Sequence, residues 1–284
     1  MQHGTRSRFT ERTPTRTVPR KGQETAMNIK DGVAIITGSA TGIGAETAKL
    51  LASRGCRVVI NYTRSKTEAE ETAAACRAFG VDVLLHQADI ADDAACKGMA
   101  AAALARWGRI DVLVNSAGKT KPAKPGDLDA LNGPDFLDIF AVNVVGTYQM
   151  IRAVVPAMKK QGNGAIVNVS ALGSLDGEGS SIAYGASKGA INSMTIALAR
   201  QLAPTIRVNA VAPGFVATRW MKNLLGEQRF NERVGEMAKI TPVGKTAFAE
   251  DIAEMICWFI DGPDLITGEV LPIDYGTRFG KRSG

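Results

Sequence analysis

The sequence predicts an α/β fold: a parallel sheet with helices on both faces. Two observations carry this. Short apolar runs of strand length alternate with longer, alanine-rich and proline-poor stretches along most of the 284 residues. The first run, Val33–Thr37, opens directly into Gly38-Ser39-Ala40-Thr41-Gly42-Ile43-Gly44 and then a helical pattern reaching about Arg54. Strand, glycine turn and helix make a unit that can hold a dinucleotide. The glycines let backbone approach a pyrophosphate, and the helix start offers free N–H groups and a positive dipole end. A hydrophobic content of 45% suffices for a substantial core.

The remaining elements follow in the same rhythm. Residues 57–61 read as a second strand, 66–79 as a helix closed by Gly80, and 81–87 as a third strand. Asp92 suits the N-cap of an alanine-rich helix ending near Trp107-Gly108. Residues 111–114 form a fourth strand leading into Asn115-Ser116-Ala117-Gly118, and 119–132 a polar loop bearing Pro and Gly. A long helix is expected over 135–158 with Asn143 inside it, then a fifth strand over 164–170. Residues 183–203 read as a helix, 206–211 as a sixth strand, 250–260 as a helix and 269–273 as the last strand.

Composition excludes several classes. The net charge is +6, but residues 1–26 hold six basic residues against two acidic ones, so the excess is mostly a tail. That tail lacks hydrophobic periodicity and is expected to be a disordered extension, leaving 27–284 as one domain. The body carries no charge signature of a nucleic-acid binder, and the longest apolar runs are shorter than a membrane span. The four cysteines are scattered, with no Cys-x-x-Cys pair, which fits a reducing cytoplasm. Only two histidines, His3 and His86, are present, so no histidine metal site is expected.

Tyr184 and Lys188 lie one turn apart on a predicted helix, hence on one face. A cation beside a phenol favours the phenolate, so Lys188 is expected to lower the Tyr184 pKa from about 10 and make it an acid or base near neutral pH. In the dinucleotide scheme an acidic residue about 20 positions past the glycines holds the ribose 2′-hydroxyl. Here that region is Asn61-Tyr62, followed by Thr63-Arg64-Ser65-Lys66. Without a carboxylate to repel it, a 2′-phosphate can pair with Arg64 and accept from Ser65, with Ser39 able to help; NADP(H) is therefore preferred over NAD(H).

Thr37 completes Thr-Gly-x-x-x-Gly-Ile-Gly. With Asn115-Ser116-Ala117-Gly118, Asn143, Tyr184 with Lys188, and Pro213-Gly214 in this order, the chain resembles the short-chain dehydrogenase/reductase family over about residues 29–276. The resemblance implies a Rossmann-type, doubly wound, seven-stranded parallel sheet of order 3-2-1-4-5-6-7. It implies hydride exchange between nicotinamide and a carbonyl or alcohol, with Tyr184 as proton donor. Lys188 would lower the tyrosine pKa and bind the ribose, and Asn143 would hold a relay water. Cofactor contacts are expected at Gly38, Ser39, Thr41, Gly42, Ile43, Gly44, Asp89, Ile90, Asn115, Ala117, Gly118, Pro213, Gly214, Val216 and Thr218, with a lid over about 216–240. The pattern is closest to 3-oxoacyl reductases, which are cytoplasmic homotetramers by the same resemblance, assembled through the helices near Asp135 and Ala183.

One position departs from the family. Its serine, thirteen residues before the tyrosine, is here Ala171. Ser170 replaces it as substrate contact if the backbone shifts by one, and Ser174 is the other candidate. Without either, the alternative is a catalytically weak NADP(H)-binding sensor or scaffold.

Overall fold

A computed structural model describes residues 27–124 and 126–280. The N-terminal extension 1–26, and with it the expectation of disorder there, lies outside the described residues. In chain order the elements are β1 (Val33–Thr37), α1 (Gly42–Ser53), β2 (Arg57–Tyr62), α2 (Lys66–Arg77), β3 (Val83–Gln87), α3 (Asp93–Trp107), β4 (Val112–Asn115), α4 (Gly133–Phe140), α5 (Thr147–Gln161) and β5 (Gly164–Val169). Then come α6 (Gly173–Asp176), α7 (Ile182–Leu202), β6 (Ile206–Pro213), β7 (Val216–Ala217), α8 (Arg219–Leu225), α9 (Glu227–Ile240), β8 (Ala247–Phe248), α10 (Ala249–Asp261) and β9 (Val270–Ile273).

Seven strands form one parallel sheet of order β3-β2-β1-β4-β5-β6-β9, the doubly wound arrangement expected. Strand periodicity explains the two cores. Ala34, Ile36, Val58, Ile60, Val112 and Val114 pack with Leu51 of α1 and Ile256 of α10 on one face. Val33, Ile35, Val59, Leu113, Ile166 and Val208 pack with Met99, Met150 and Ala199 from α3, α5 and α7 on the other. The short parallel pair β7–β8 was not visible in the sequence, because two-residue strands leave no periodic trace.

Two local differences matter. β3 starts two residues later than expected; Asp82 instead accepts from Arg106 and from Trp107 Nε1, tying the strand entrance to the end of α3. The long helix runs from Gly133 to Gln161, but Ala141–Gly146 is a π-helical segment. Such a widened turn re-aims side chains, and Asn143 is buried within it. This helix is long and apolar enough to cross a membrane by composition. Its Ile139, Met150, Ile151, Val154 and Met158 are buried in the domain, as in a core helix. Asp92 caps α3 as predicted, accepting from Ala94 N at 2.8 Å. All four cysteines are free and buried, and burial pushes Cys56, Cys96 and Cys257 up to about 12, leaving them unreactive thiols.

Candidate active site

The site forms at the carboxyl ends of β1, β4, β5 and β6, where strand order reverses. Its floor is the glycine turn. Gly38 has φ +62°, and a Cβ there would lie 2.8 Å from Ala117 Cα. A Cβ on Gly44 would lie 2.7 Å from the Gly38 carbonyl oxygen. Only glycine permits these approaches. They lock the turn to the 115–118 segment, whose Ser116 and Ala117 amides both donate to the Thr37 hydroxyl at 3.0 and 3.1 Å. Gly42 in turn lies within reach of the Thr218 methyl.

The start of α1 has no side-chain cap and no acidic residue in its first turn. Its leading N–H groups have no intrahelical acceptor. The cradle thus fits a pyrophosphate: free donors, a positive dipole end and no competing carboxylate. Ser39 does not belong to it. Its side chain is fully buried, its hydroxyl donates to Ile36 O and accepts from Asn61 N, and its own N–H donates to Asn61 O. The expected help from Ser39 is corrected to a structural role, because its donors are spent inside the protein.

Asn61 is equally committed. Its carboxamide accepts from Gly38 N at 3.0 Å and donates to Ala88 O at 3.0 Å. The groups left for a ribose end are further along. Arg64 is exposed and forms no ion pair among the described residues, and the half-buried Ser65 starts α2 with no side-chain cap bond. Asp89 is exposed, with one oxygen accepting from Ala91 N, while Ile90 is buried against Gly146 of the π-helical segment. Thr41 and Ile43 are half-buried beside the turn. Asn115 donates to Asn168 Oδ1 at 2.9 Å, and its own Oδ1 is the one buried side-chain oxygen or nitrogen without a partner among the described residues.

Gly118 is where the chemistry converges. A Cβ placed on it would lie 3.5 Å from Trp220 Cη2, 3.6 Å from Asn143 Oδ1 and 3.7 Å from Lys188 Nζ. Tyr184 adjoins them: Lys188 Nζ is 5.6 Å from its ring centroid, and the Trp220 ring meets it edge-on at 6.1 Å. Ser181 caps α7 and fixes where Tyr184 starts, accepting its N–H at 3.3 Å. The Tyr184 hydroxyl makes no hydrogen bond among the described residues. Asn143 is held on three sides. Its Oδ1 accepts from Lys119 N at 2.7 Å, and its Nδ2 donates to Lys119 O and Ser187 Oγ, both at 2.9 Å. Its amide donors are therefore spent on protein, clamping the loop after β4 to α7. Of these residues, sequence reasoning missed Ser187 and Trp220; the first has the spacing signal Tyr-x-x-Ser-Lys, the second none.

Lys188 is 4% exposed, donates to Val169 O at 2.7 Å and has no carboxylate partner among the described residues. Desolvation lowers it to about 8 and raises the Tyr184 phenol above its ordinary value. The expected lowering of the phenol by Lys188 is thus corrected: removal from water outweighs the neighbouring cation, and each group is driven toward its neutral form. At neutral pH the phenol holds its proton, the state that donates.

The buried ammonium has a stability consequence. Its folded pKa of about 8 lies below the unfolded value of about 10.4, so the unfolded chain binds more protons between these values and stability rises with pH across that window. Lys188→Met is expected to stabilise the fold at pH 7 by about 3 kcal/mol. Thermal melts at pH 7 and pH 10 check this: the gain shrinks at the higher pH, and a variant that melts lower than wild type at pH 7 overturns it.

The serine expectation is corrected as well. Ser170 is 2% exposed, and its hydroxyl donates to Asn192 Oδ1 at 2.6 Å with Lys188 O as a further acceptor at 3.2 Å. Ser174 donates to Ala171 O at 2.6 Å and accepts from Asn192 Nδ2 at 2.7 Å. Both hydroxyl protons are committed to this network. There is no one-residue shift at the strand end: Ser170 N and Leu172 N still bond to β6 at Val211 O and Pro213 O, so Ala171 keeps the face opposite Ser170.

The Pro213-Gly214 corner closes the far wall, with Gly214 N donating to Ile273 O at 2.9 Å and Val216 buried in the β7–β8 pair. Thr218 accepts from Met221 N at 3.4 Å, capping α8 with its own O–H still available. α8 and α9 are largely exposed, with Met237 their one buried residue.

A dinucleotide cradle at the β1–β4 switch point, next to a tyrosine and a lysine on one helix face, defines a Rossmann-type oxidoreductase. The chain belongs to the short-chain dehydrogenase/reductase family, a dehydrogenase/reductase acting on CH–OH or carbonyl groups. The family model described as Enoyl-(Acyl carrier protein) reductase matches residues 38–278. The chain is 38% identical over 246 residues to the protein named ketoacyl reductase 2 of the granaticin polyketide synthase of Streptomyces violaceoruber, covering 87% of this chain and 96% of that one. It is 32% identical to the 3-oxoacyl-[acyl-carrier-protein] reductase of Synechocystis sp., over 86% and 96% of the two chains. A short-chain dehydrogenase/reductase of Burkholderia xenovorans superposes with a TM-score of 0.81 at 37% identity, over 88% and 98% of the chains.

Proposed function

We propose that this protein is an NADP(H)-dependent reductase of a partly hydrophobic ketone, with Tyr184 giving the proton to the carbonyl oxygen. The observation that carries it is geometric: Lys188 Nζ lies 5.6 Å from the Tyr184 ring centroid and 3.7 Å from where a Cβ on Gly118 would be, on the segment that closes over Gly38. The nicotinamide, when bound, supplies or accepts the hydride. The residues that would hold it are Gly38, Gly42 and Gly44 with the start of α1, then Gly118, Lys188 and the Pro213–Thr218 corner. Lys188 holds the ribose and carries the positive charge that supports the phenolate once the proton has left. Asn143 positions Lys119 and Ser187 around that pair and so fixes where the proton is delivered. Tyr184 also orients the substrate oxygen, because the hydroxyl protons of Ser170 and Ser174 are already given to Asn192 Oδ1 and Ala171 O.

Arg64 with Ser65 would take the 2′-phosphate, and no acidic residue stands between Asn61 and Lys66 to repel it. Arg64→Ala is expected to raise the KM for NADPH by about tenfold to a hundredfold, while the NADH value stays within about twofold. Steady-state kinetics with both cofactors test this. Equal use of the two by wild type, unchanged in the variant, would falsify the preference.

The assembly we infer is a homotetramer in the cytoplasm, with α4, α5 and α7 at its interfaces. Leu137, Tyr148, Ile182 and Ile196 on these helices, with Val145 of the π-helical segment, leave apolar surface exposed. Light scattering is expected to give four chains per particle; a monomer mass overturns it.

A further inference from the structure

We propose that Trp220 selects which ketones the site accepts, forming the wall against which the group flanking the carbonyl must lie. The inference rests on the reductase reading and adds a residue outside every motif that identifies the family. Its indole reaches inward from the first turn of α8, with the far edge of the six-membered ring 3.5 Å from where a Cβ on Gly118 would be. The same ring meets the Tyr184 ring edge-on, at 6.1 Å and 88°. Trp220 therefore borders the cleft beside the phenol, which Gly179 also approaches, its Cβ position 3.9 Å from Tyr184 Cδ1. With Gly179 and the indole both against its ring, the phenol receives a carbonyl through the gap that remains.

The indole is held there from both sides. Thr218 caps α8, and Arg219 forms an ion pair with Glu68 of α2, so the first turn of α8 is tied to the helix that follows Arg64 and Ser65. Trp220 is 40% exposed, so its own burial does not account for its inward placement; contact with Gly118 and Tyr184 does. A large rigid side chain at this place favours a ketone with a slim substituent and rejects a fused ring system. Steric selection of this kind changes kcat/KM ratios more than it changes cofactor binding.

The test compares wild type, Trp220→Ala and Trp220→Phe on two probes with NADPH: ethyl acetoacetate, and the bicyclic ketone trans-1-decalone. Trp220→Ala is expected to raise the decalone-to-acetoacetate ratio of kcat/KM by about tenfold or more, and Trp220→Phe to keep it within about threefold of wild type. The NADPH Kd, read by fluorescence titration, stays within about threefold in both variants. An unchanged ratio in Trp220→Ala overturns the inference, as does a loss of NADPH binding that accounts for the whole effect. Should Trp220→Ala fail to fold, the phenylalanine variant decides alone: its smaller ring must shift the ratio toward decalone by a measurable amount within that threefold limit, and no shift overturns the inference. Absence of NADPH oxidation by wild type on any ketone overturns the reductase reading and this inference with it. Turnover with an unchanged ratio overturns only this one.

Discussion

Tyr184→Phe is expected to lower carbonyl reduction by about a hundredfold to ten-thousandfold, the range supplied by one positioned acid–base group. The fold should not change, because the hydroxyl makes no hydrogen bond among the described residues and the ring keeps its contacts with Trp220 and Gly179. NADPH affinity should also be retained, since the cradle and Lys188 are untouched. The combination is diagnostic: turnover lost, melting temperature and cofactor binding kept. If the variant still reduces ketones at the wild-type rate, another group delivers the proton and the proposed chemistry is wrong.

Ala171→Ser is expected to act in the opposite direction. A serine hydroxyl here would add a second donor to the carbonyl oxygen, on the strand face that Ser170 does not use. One such donor contributes on the order of a hundredfold in rate where charge develops on oxygen. Gains of about tenfold to a hundredfold in kcat on a simple ketone are therefore expected, measured by NADPH oxidation. Ala171 is the one observation that favours the second reading, a slow enzyme kept for binding the cofactor, and this variant addresses it. A large gain means the catalytic frame is intact apart from the missing hydroxyl. No gain, with Ala171 already matched to its substrate, means the substrate carries its own hydrogen-bond donor beside the carbonyl, and simple ketones should then be poor for wild type and variant alike.

Much of the site was legible because backbone chemistry leaves marks on sequence. Gly38 and Gly44 could be placed by spacing alone, since a positive φ and an approach to a carbonyl each exclude a side chain. The pairing of Tyr184 with Lys188 followed from the helical repeat. The protonation state did not follow. Spacing suggests a cation that lowers a phenol, whereas the folded chain buries the ammonium with no carboxylate partner among the described residues, and burial raises the half-buried phenol. Desolvation depends on every element packed around a group, which no local pattern records.

The same division holds for the polar side chains. Ser39, Ser170 and Ser174 each carry a hydroxyl at a plausible position, but their partners lie 22 or fewer residues away on neighbouring elements, and only the fold shows those donors already engaged. Trp220 is a further case: in sequence it begins a mixed apolar and charged stretch, and in space it stands beside the phenol. Sequence alone determined the order of strands and helices, the glycine cradle, and which helix carries the acid–base pair, because each follows from backbone geometry over a few residues. Tertiary structure decided which of the candidate groups are free to react, because a donor's availability and a charge's cost depend on what distant segments bring against it.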